Sequence, residues 1–207
     1  MGKRTPATPK QQRSIQTRQK IKEAAYHLYE TRGYHAVTSN DIATEAGVNI
    51  GTFYHYFENK KVLLLELLED FQKRFFHQAF DQLSPKMGSL TSREAIAFMV
   101  KKSFDAFRKE KGFFSSVYPL QYMDPDVEKI FRKYERLEST RAAEIYAQVT
   151  GMGTPGEIKK QITTVSIIVA TVSNRFYTLG LPMGKKETIH ALTEMIHAYL
   201  TAAFSAR

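Results

Sequence analysis

Apolar residues recur at helical spacing along almost the whole chain. Ile21, Ala24, Ala25, Leu28 and Tyr29 fall at i, i+3, i+4, i+7 and i+8, one face of a helix, and Gly33 follows where that helix should stop. Thr38-Ser39-Asn40-Asp41 opens a second helix, with Thr38 as N-cap and Asp41 three residues on. Its apolar face is only Ile42, Ala43 and Ala46, and Gly47 ends it. Val48 and Asn49 turn the chain, and Asn49 caps a third short helix from about Ile50 to Phe57. Asn59 starts a long fourth helix through about Leu83, carrying Leu63, Leu64, Leu67, Leu68, Phe71, Phe75 and Phe80. Ser84 to Ser89 reads as a linker. Further helices are predicted near 91–110, 113–121 and 125–149, the last opened by Asp124-Pro125-Asp126 with proline at N1. Gly151 to Gly156 is a loop, a helix spans about 156–179, Gly180-Leu181-Pro182 breaks it, and a last helix spans about 186–204. No alternating strand pattern and no internal repeat interrupt this series, so the predicted fold is all-α with about nine helices.

Residues 38–57 are the informative stretch. Two helices of under ten residues around a glycine turn form the helix-turn-helix pattern. Ala43 is small where the second helix crosses, Gly47 permits a positive φ, and Val48 and Phe53 plug the space between the helices. That leaves Ile50, Gly51, Thr52, Tyr54 and His55 for an outer face short enough to enter a major groove end-on.

Charge strengthens this picture. The chain of 207 residues carries 30 Lys and Arg against 21 Asp and Glu, a formal +9, which suggests a polyanionic partner. Lys3, Arg4, Lys10, Arg13, Arg18, Lys20 and Lys22 all precede the first acid, Glu23. Residues 1–14, with Gly2, Pro6 and Pro9, read as a disordered basic arm, either solubilising or tracking a phosphate backbone. The absence of cysteine excludes disulfides, thiol nucleophiles and cysteine-ligated metals. No apolar run approaches a membrane span and no secretory leader is visible, so a cytoplasmic protein is expected.

Gly33-Tyr34, Thr38, Asp41-Ile42-Ala43, Ala46-Gly47-Val48, Gly51-Thr52-Phe53-Tyr54, Tyr56-Phe57, Lys60 and Leu63-Leu64 together resemble the amino-terminal domain of the tetracycline-repressor (TetR) family. The resemblance covers about residues 15–75. It implies a homodimeric transcriptional regulator, more often a repressor than an activator, released from operator DNA when a small molecule enters the carboxy-terminal half, about residues 76–207. It places Thr38, Ser39 and Asn40 against phosphates at the start of the second helix, where free N–H groups and the dipole favour an anion. It brings Thr52 and Tyr54 to DNA, Ile50 and His55 to base edges or a thymine methyl, and Lys60 to a phosphate. Asn49 and Gly51 complete the expected DNA-facing set. Three positions depart from the family's usual residues: Asn49 for Ser, Phe53 for Leu and Tyr56 for His. The first two preserve capping and packing; Tyr56 either contacts the backbone or only packs.

The second half is rich in aromatic residues from Phe98 to Tyr134. Such a stripe builds either core or an apolar cavity. The resemblance implies a cavity, gated by the segment Phe113 to Pro119. The expected effector is hydrophobic or aromatic, lined by Phe104, Phe107, Phe114, Tyr118 and Tyr122, with Asn174 or Tyr177 supplying a polar contact. The last two helices are apolar nearly all round: Ile158, Ile162, Val165, Val169, Val172, Phe176 and Leu179 make one stripe, and Ile167, Ile168, Ala170 and Thr171 widen it. Ile189, Leu192, Ile196, Tyr199, Leu200 and Ala203 repeat the theme, and these two helices are expected to form the dimer interface.

Other signals are weaker. Gly151 to Gly156 spells G-x-G-x-x-G, but a helix precedes it and Pro155 removes an N–H. His190, Glu194 and His197 share a helix face, which suits a polar strip better than a metal. No catalytic constellation has supporting local context, so neither an enzyme nor a bound cofactor is expected; an enzymatic carboxy-terminal half is the alternative of another class.

Overall fold

The computed structural model describes residues 9–83 and 90–205. Among these residues every element is helical. The helices are α1 (Pro9–Arg32), α2 (Ser39–Glu45), α3 (Ile50–Tyr56), α4 (Lys60–Leu83), α5 (Ser92–Lys109), α6 (Lys111–Val117), α7 (Pro125–Thr150), α8 (Pro155–Thr178) and α9 (Lys185–Ser205). A 3-10 turn, Tyr118–Tyr122, joins α6 to α7. The all-α prediction therefore holds, and most boundaries fall within two residues of the sequence reading.

Two expectations change. The helix predicted at 113–121 is instead α6 followed by the 3-10 turn. Pro119 has no N–H to donate back to the preceding turn, so regular α geometry cannot run through it. The arm assigned to residues 1–14 also ends sooner, because α1 is helical from Pro9. Proline is tolerated in a first turn, and Gln11, Gln12 and Arg13 are good helix formers. Residues 1–8 and the linker at 84–89 lie outside the described residues.

The amino-terminal core forms where four apolar faces meet. Ile21, Ala25, Leu28 and Tyr29 of α1, Ile42 and Ala43 of α2, Phe53 of α3, and Leu63, Leu64 and Leu68 of α4 are all buried together. Phe113 and Val117 of α6, Leu120 and Val127 belong to the same core. The two halves of the chain are thus packed through α6. Tyr26 stacks on Phe113 with ring centroids 4.7 Å apart. The peptide N–H of Tyr34 donates to Ser116 Oγ at 2.7 Å. Gly112 lets α1 and α6 approach: a Cβ there would sit 2.9 Å from the carbonyl oxygen of Glu30 and closer still to its side chain.

The second core lies among α5, α7, α8 and α9. Val100, Phe104, Ala143, Ile158, Ile162, Val165, Leu192, Ile196 and Leu200 fill it. Side-chain caps fix the helix starts. Thr91 with Glu94 and Thr154 with Glu157 form capping boxes, and Asp124 accepts from the N–H groups of Asp126 and Val127. Each such cap stabilises by about 1 kcal/mol.

Candidate DNA-binding face and effector cavity

The helix-turn-helix follows from local satisfaction of backbone groups. Thr38 Oγ1 accepts from the Asp41 N–H at 3.1 Å, and the Asp41 carboxylate accepts from the Thr38 N–H at 2.8 Å and from its hydroxyl at 2.6 Å. Those bonds, the Thr38 hydroxyl foremost, hold Asp41 below the ordinary carboxylate range. Gly47 takes φ +65 after α2, and Val48 N–H donates to the Ala43 carbonyl at 2.9 Å. Asn49 then caps α3, its Oδ1 accepting from the Thr52 N–H at 2.7 Å and hydroxyl at 3.0 Å.

These constraints aim α3. Phe53 is 0% exposed and anchors the helix inward, while Tyr54 is 55% and Ile50 36% exposed. Gly51, His55, Asn49, Asn40 and Thr38 are also exposed; Ser39 and Thr52 are half-buried. Ile50 and Tyr54, and Gly51 and His55, are each i,i+4 pairs, so the exposed side chains share one face.

Two of the expected contacts have structural partners already. Lys60 Nζ donates to the carbonyls of Tyr34 at 3.0 Å and Val37 at 2.6 Å, and it lies 4.5 Å from the centre of the Tyr34 ring. Burial lowers its pKa. Two of its three protons hold the loop between α1 and α2; one is left for another acceptor. Tyr56 is half-buried, and its hydroxyl donates to Ser14 Oγ at 3.1 Å.

Several nearby cations are also committed. Arg18 pairs with Glu66 and lies over the Phe57 ring. Lys22 is shared by Glu66 and Asp70. Lys61 bridges Asp124 at 2.9 Å and Asp126 at 2.7 Å, which raises its pKa and ties α4 to the start of α7. Arg13 and Lys20, both exposed on α1, have no ion-pair partner among the described residues.

The second half contains a half-open cavity of about 390 Å³. It lies between α4, α5, α7 and α8, and Phe107, Phe114, Tyr118 and Tyr122 of the expected lining are there. Phe104, Asn174 and Tyr177 are not. Phe104 is fully buried in the α5/α8/α9 core, its ring meeting those of Phe176 and Tyr177. Asn174 Oδ1 is buried without a hydrogen-bond donor. Phe104 and Phe107, three residues apart, are offset by about 60° around α5; one ring packs toward the α8/α9 core and the other toward the cavity.

Four charged residues in the lining were missed: Glu128, Arg132, Glu135 and Glu138, all on α7. Arg132 donates to Glu128 at 2.6 Å. Glu138 is pushed up to about 8, chiefly by burial and further by Glu135. The signal was present in the sequence. Phe131, Tyr134, Ala142, Ile145 and Val149 make an apolar stripe at helical spacing, and Glu138 stands within it.

The outward faces of α8 and α9 carry exposed apolar side chains. Ile167 is 48%, Met195 66% and Tyr199 48% exposed, with Ile168 beside them. Ile158, Ile162 and Val165 of the predicted interface stripe point instead into the chain's own core, as do Leu192, Ile196 and Leu200. Among the described residues no three His, Asp or Glu side chains could hold a metal, and Glu194 pairs with Arg93. No described helix is long and apolar enough to cross a membrane.

A helix-turn-helix domain packed through one short helix onto a cavity-bearing helical domain defines the class of the protein. Residues 21–67 match the model of the bacterial regulatory proteins of the tetR family. The fatty acid metabolism regulator protein of Bacillus subtilis is 32% identical over 84 residues, 41% of this chain and 42% of that protein. The HTH-type transcriptional repressor KstR2 of Mycolicibacterium smegmatis is 34% identical over 96 residues, 45% of this chain and 46% of that protein. The matches thus span less than half of these relatives' length. A crystal structure of a tetR-family transcriptional regulator from Mesorhizobium loti superposes with a TM-score of 0.74 at 15% identity, covering 93% of this chain and 98% of that one, a likeness of fold. Residues 21–67 thus resemble the amino-terminal domain of the tetR family, and the whole chain shares the fold of its solved members.

Proposed function

We propose that this protein is a sequence-specific DNA-binding transcriptional regulator, a repressor by its likeness to KstR2, that leaves its operator when a small apolar molecule fills the α4/α5/α7/α8 cavity. The observation that carries the reading is the placement of two consecutive residues of α6. Phe114 lines the cavity, and Phe113 is buried in the core that holds the helix-turn-helix. A molecule that shifts α6 by displacing Phe114 also moves Phe113, and with it the face of α1 that stacks on Phe113. Only a ligand with different affinity for the two arrangements shifts the balance.

On DNA, Ile50, Gly51, Tyr54 and His55 face the base edges, and Thr52 and Asn49 lie at the groove wall. The N-terminus of α2, with Thr38, Ser39 and Asn40, meets phosphate together with the spare proton of Lys60. Tyr56 braces α3 through Ser14. Two copies pair through Ile167, Ile168, Met195 and Tyr199, placing two α3 helices on half-sites about 34–36 Å apart. In this division residues 15–75 read DNA and residues 76–207 bind effector and partner. A cytoplasmic location follows from that role.

The reading is tested by gel retardation on a selected oligonucleotide with Thr52→Ala, Tyr54→Phe and Lys60→Ala, and by sedimentation equilibrium. The first two variants lose affinity for some sequences more than others, and Lys60→Ala loses it for all with a flatter salt dependence. Unchanged retardation by all three, or a monomer at micromolar concentration, contradicts it.

A further inference from the structure

The walls of the cavity are mostly apolar or aromatic, with the neutral polar side chains of Gln72, Ser103, Gln121, Ser166 and Thr171 among them. Helix α4 brings Phe71 and Phe75, α5 brings Phe107, and the turn after α6 brings Tyr118. No charged side chain enters the lining from α4, α5, α6, α8 or α9. All the charge comes from α7, as three carboxyls and one guanidinium. That guanidinium, Arg132, is bonded to Glu128 and largely exposed, which puts this pair at the mouth. Glu135 and Glu138 remain. Neither carboxyl has a hydrogen-bond or ion-pair partner among the described residues. Glu138 stands one and two helical turns from Tyr134 and Phe131, on the apolar stripe of α7.

A half-buried ionised carboxyl in largely apolar surroundings without a partner is costly, and no described residue offers Glu138 a counter-ion. A fatty acid or another anion would add a second negative charge beside it and would find its only cation already engaged by Glu128. A neutral apolar molecule would leave Glu138 as it is. An apolar molecule bearing a positive charge supplies what the cavity lacks: a counter-ion for Glu138, since Arg132 already faces Glu128 and Glu135, and a cation for the faces of the surrounding aromatic rings.

The geometry points to a cationic amphiphile, an aliphatic or aromatic amine or quaternary ammonium, as the ligand of this cavity, with Glu138 as its counter-ion and Glu135 as a second carboxyl nearby. The inference rests on the effector reading above, in that it assigns a ligand class to the same cavity. It has a pH signature. Glu138 must be ionised to pair with the cation, so binding below about 8 expels a proton. The groups that face the cavity beside it are Glu128, Arg132 and Glu135, the phenol of Tyr122, and the phenols of Tyr118, Tyr134 and Tyr146, which burial pushes upward, away from neutrality.

The test uses the full chain and three probes of equal chain length below their micelle concentrations: decyltrimethylammonium, decanol and decanoate. Calorimetry should show the cation binding at least about tenfold tighter than decanol, with decanoate weakest. Glu138→Gln should remove the cation's advantage while leaving decanol affinity unchanged, which also shows that the variant's cavity is intact. For the unsubstituted protein, cation affinity should rise about tenfold per pH unit up to about 8, and decanol affinity should stay flat. Equal or tighter binding of decanol or decanoate, no binding of any probe, or a pH-independent cation affinity overturns the inference. Retardation on the selected oligonucleotide separates the two claims. If the cation binds through Glu138 and the DNA stays bound, the effector reading fails and the ligand class stands. If decanoate binds best and releases the DNA, the ligand class fails and the effector reading stands.

Discussion

The two halves of this chain solve opposite problems. The helix-turn-helix is closed and locally determined. Thr38 and Asp41 satisfy each other, Asn49 holds the first turn of α3, and Lys60 ties down the loop before α2. Its few outward side chains stand on a full core. The second half is left hollow, and inside the hollow a carboxyl goes without a partner. A surface that reads a rigid polymer gains from being fixed before contact, since ordering side chains on binding costs free energy. A sensor needs an unmet demand that its ligand can fill. The junction of the two is α6, seven residues long, with one phenylalanine in each half.

The largest expected effect falls on the closed half. Phe53→Ala should cost about 3–5 kcal/mol, because a fully buried ring at the centre of a tight core leaves a cavity. Circular dichroism should show an early transition assigned to the amino-terminal half, with DNA binding lost. A single late transition would mean that the two cores do not melt separately.

Next is the junction. Gly112→Ala should cost about 1–3 kcal/mol, since its Cβ meets the backbone of Glu30. If α6 transmits ligand occupancy, this variant should also show altered release of DNA by ligand. Wild-type release with lowered stability would leave α6 a packing element only.

Tyr54→Ala should leave the melting temperature within about 1 °C of the parent, since an exposed side chain carries little stability. Its loss in DNA affinity should be about 1–3 kcal/mol and confined to sites with particular bases. An equal loss on every sequence would move Tyr54 to the phosphates.

A last expected effect is in pH. Glu138 has its folded pKa raised from 4.5 to about 8, so the folded state holds a proton that the unfolded chain releases. Its contribution is fully present below about 4.5 and is lost as pH rises through about 8. The melting temperature of the ligand-free protein should therefore drift down across that window, and Glu138→Gln should flatten the drift. An unchanged profile in the variant would show that another group titrates.

How much of this was legible in the sequence follows the same division. Phe53 could be placed inward and Tyr54 outward because helical period and the glycine at 47 leave little choice over seven residues. The caps at Thr38 and Asn49 are short-range and were equally readable. The anchoring of Lys60 was not, because its partners are carbonyls of a loop more than twenty residues earlier in the chain, and backbone oxygens carry no sequence signal. The cavity was only half visible. An aromatic stripe shows that a helix is covered without showing by what, so Phe104 and Phe107 looked alike although one packs on α8/α9 and the other faces open space. The α8/α9 faces divide in the same way: Ile162 packs inward and Ile167 points out, and period alone does not rank two apolar stripes on one helix. Glu138 broke a stripe in plain view, and a lone acid among core positions is a signal worth weighing before any count of aromatic rings.

Whether the outward face of α3 reads duplex DNA in pairs is decided by an unbiased selection from random double-stranded oligonucleotides. An inverted repeat whose half-sites lie about one helical turn or a multiple apart should be enriched, with Tyr54→Ala changing the enriched bases. Recovery of no sequence above background by the intact protein, or of the same sequence by the protein with Ile50, Tyr54 and His55 all changed to alanine, would contradict it.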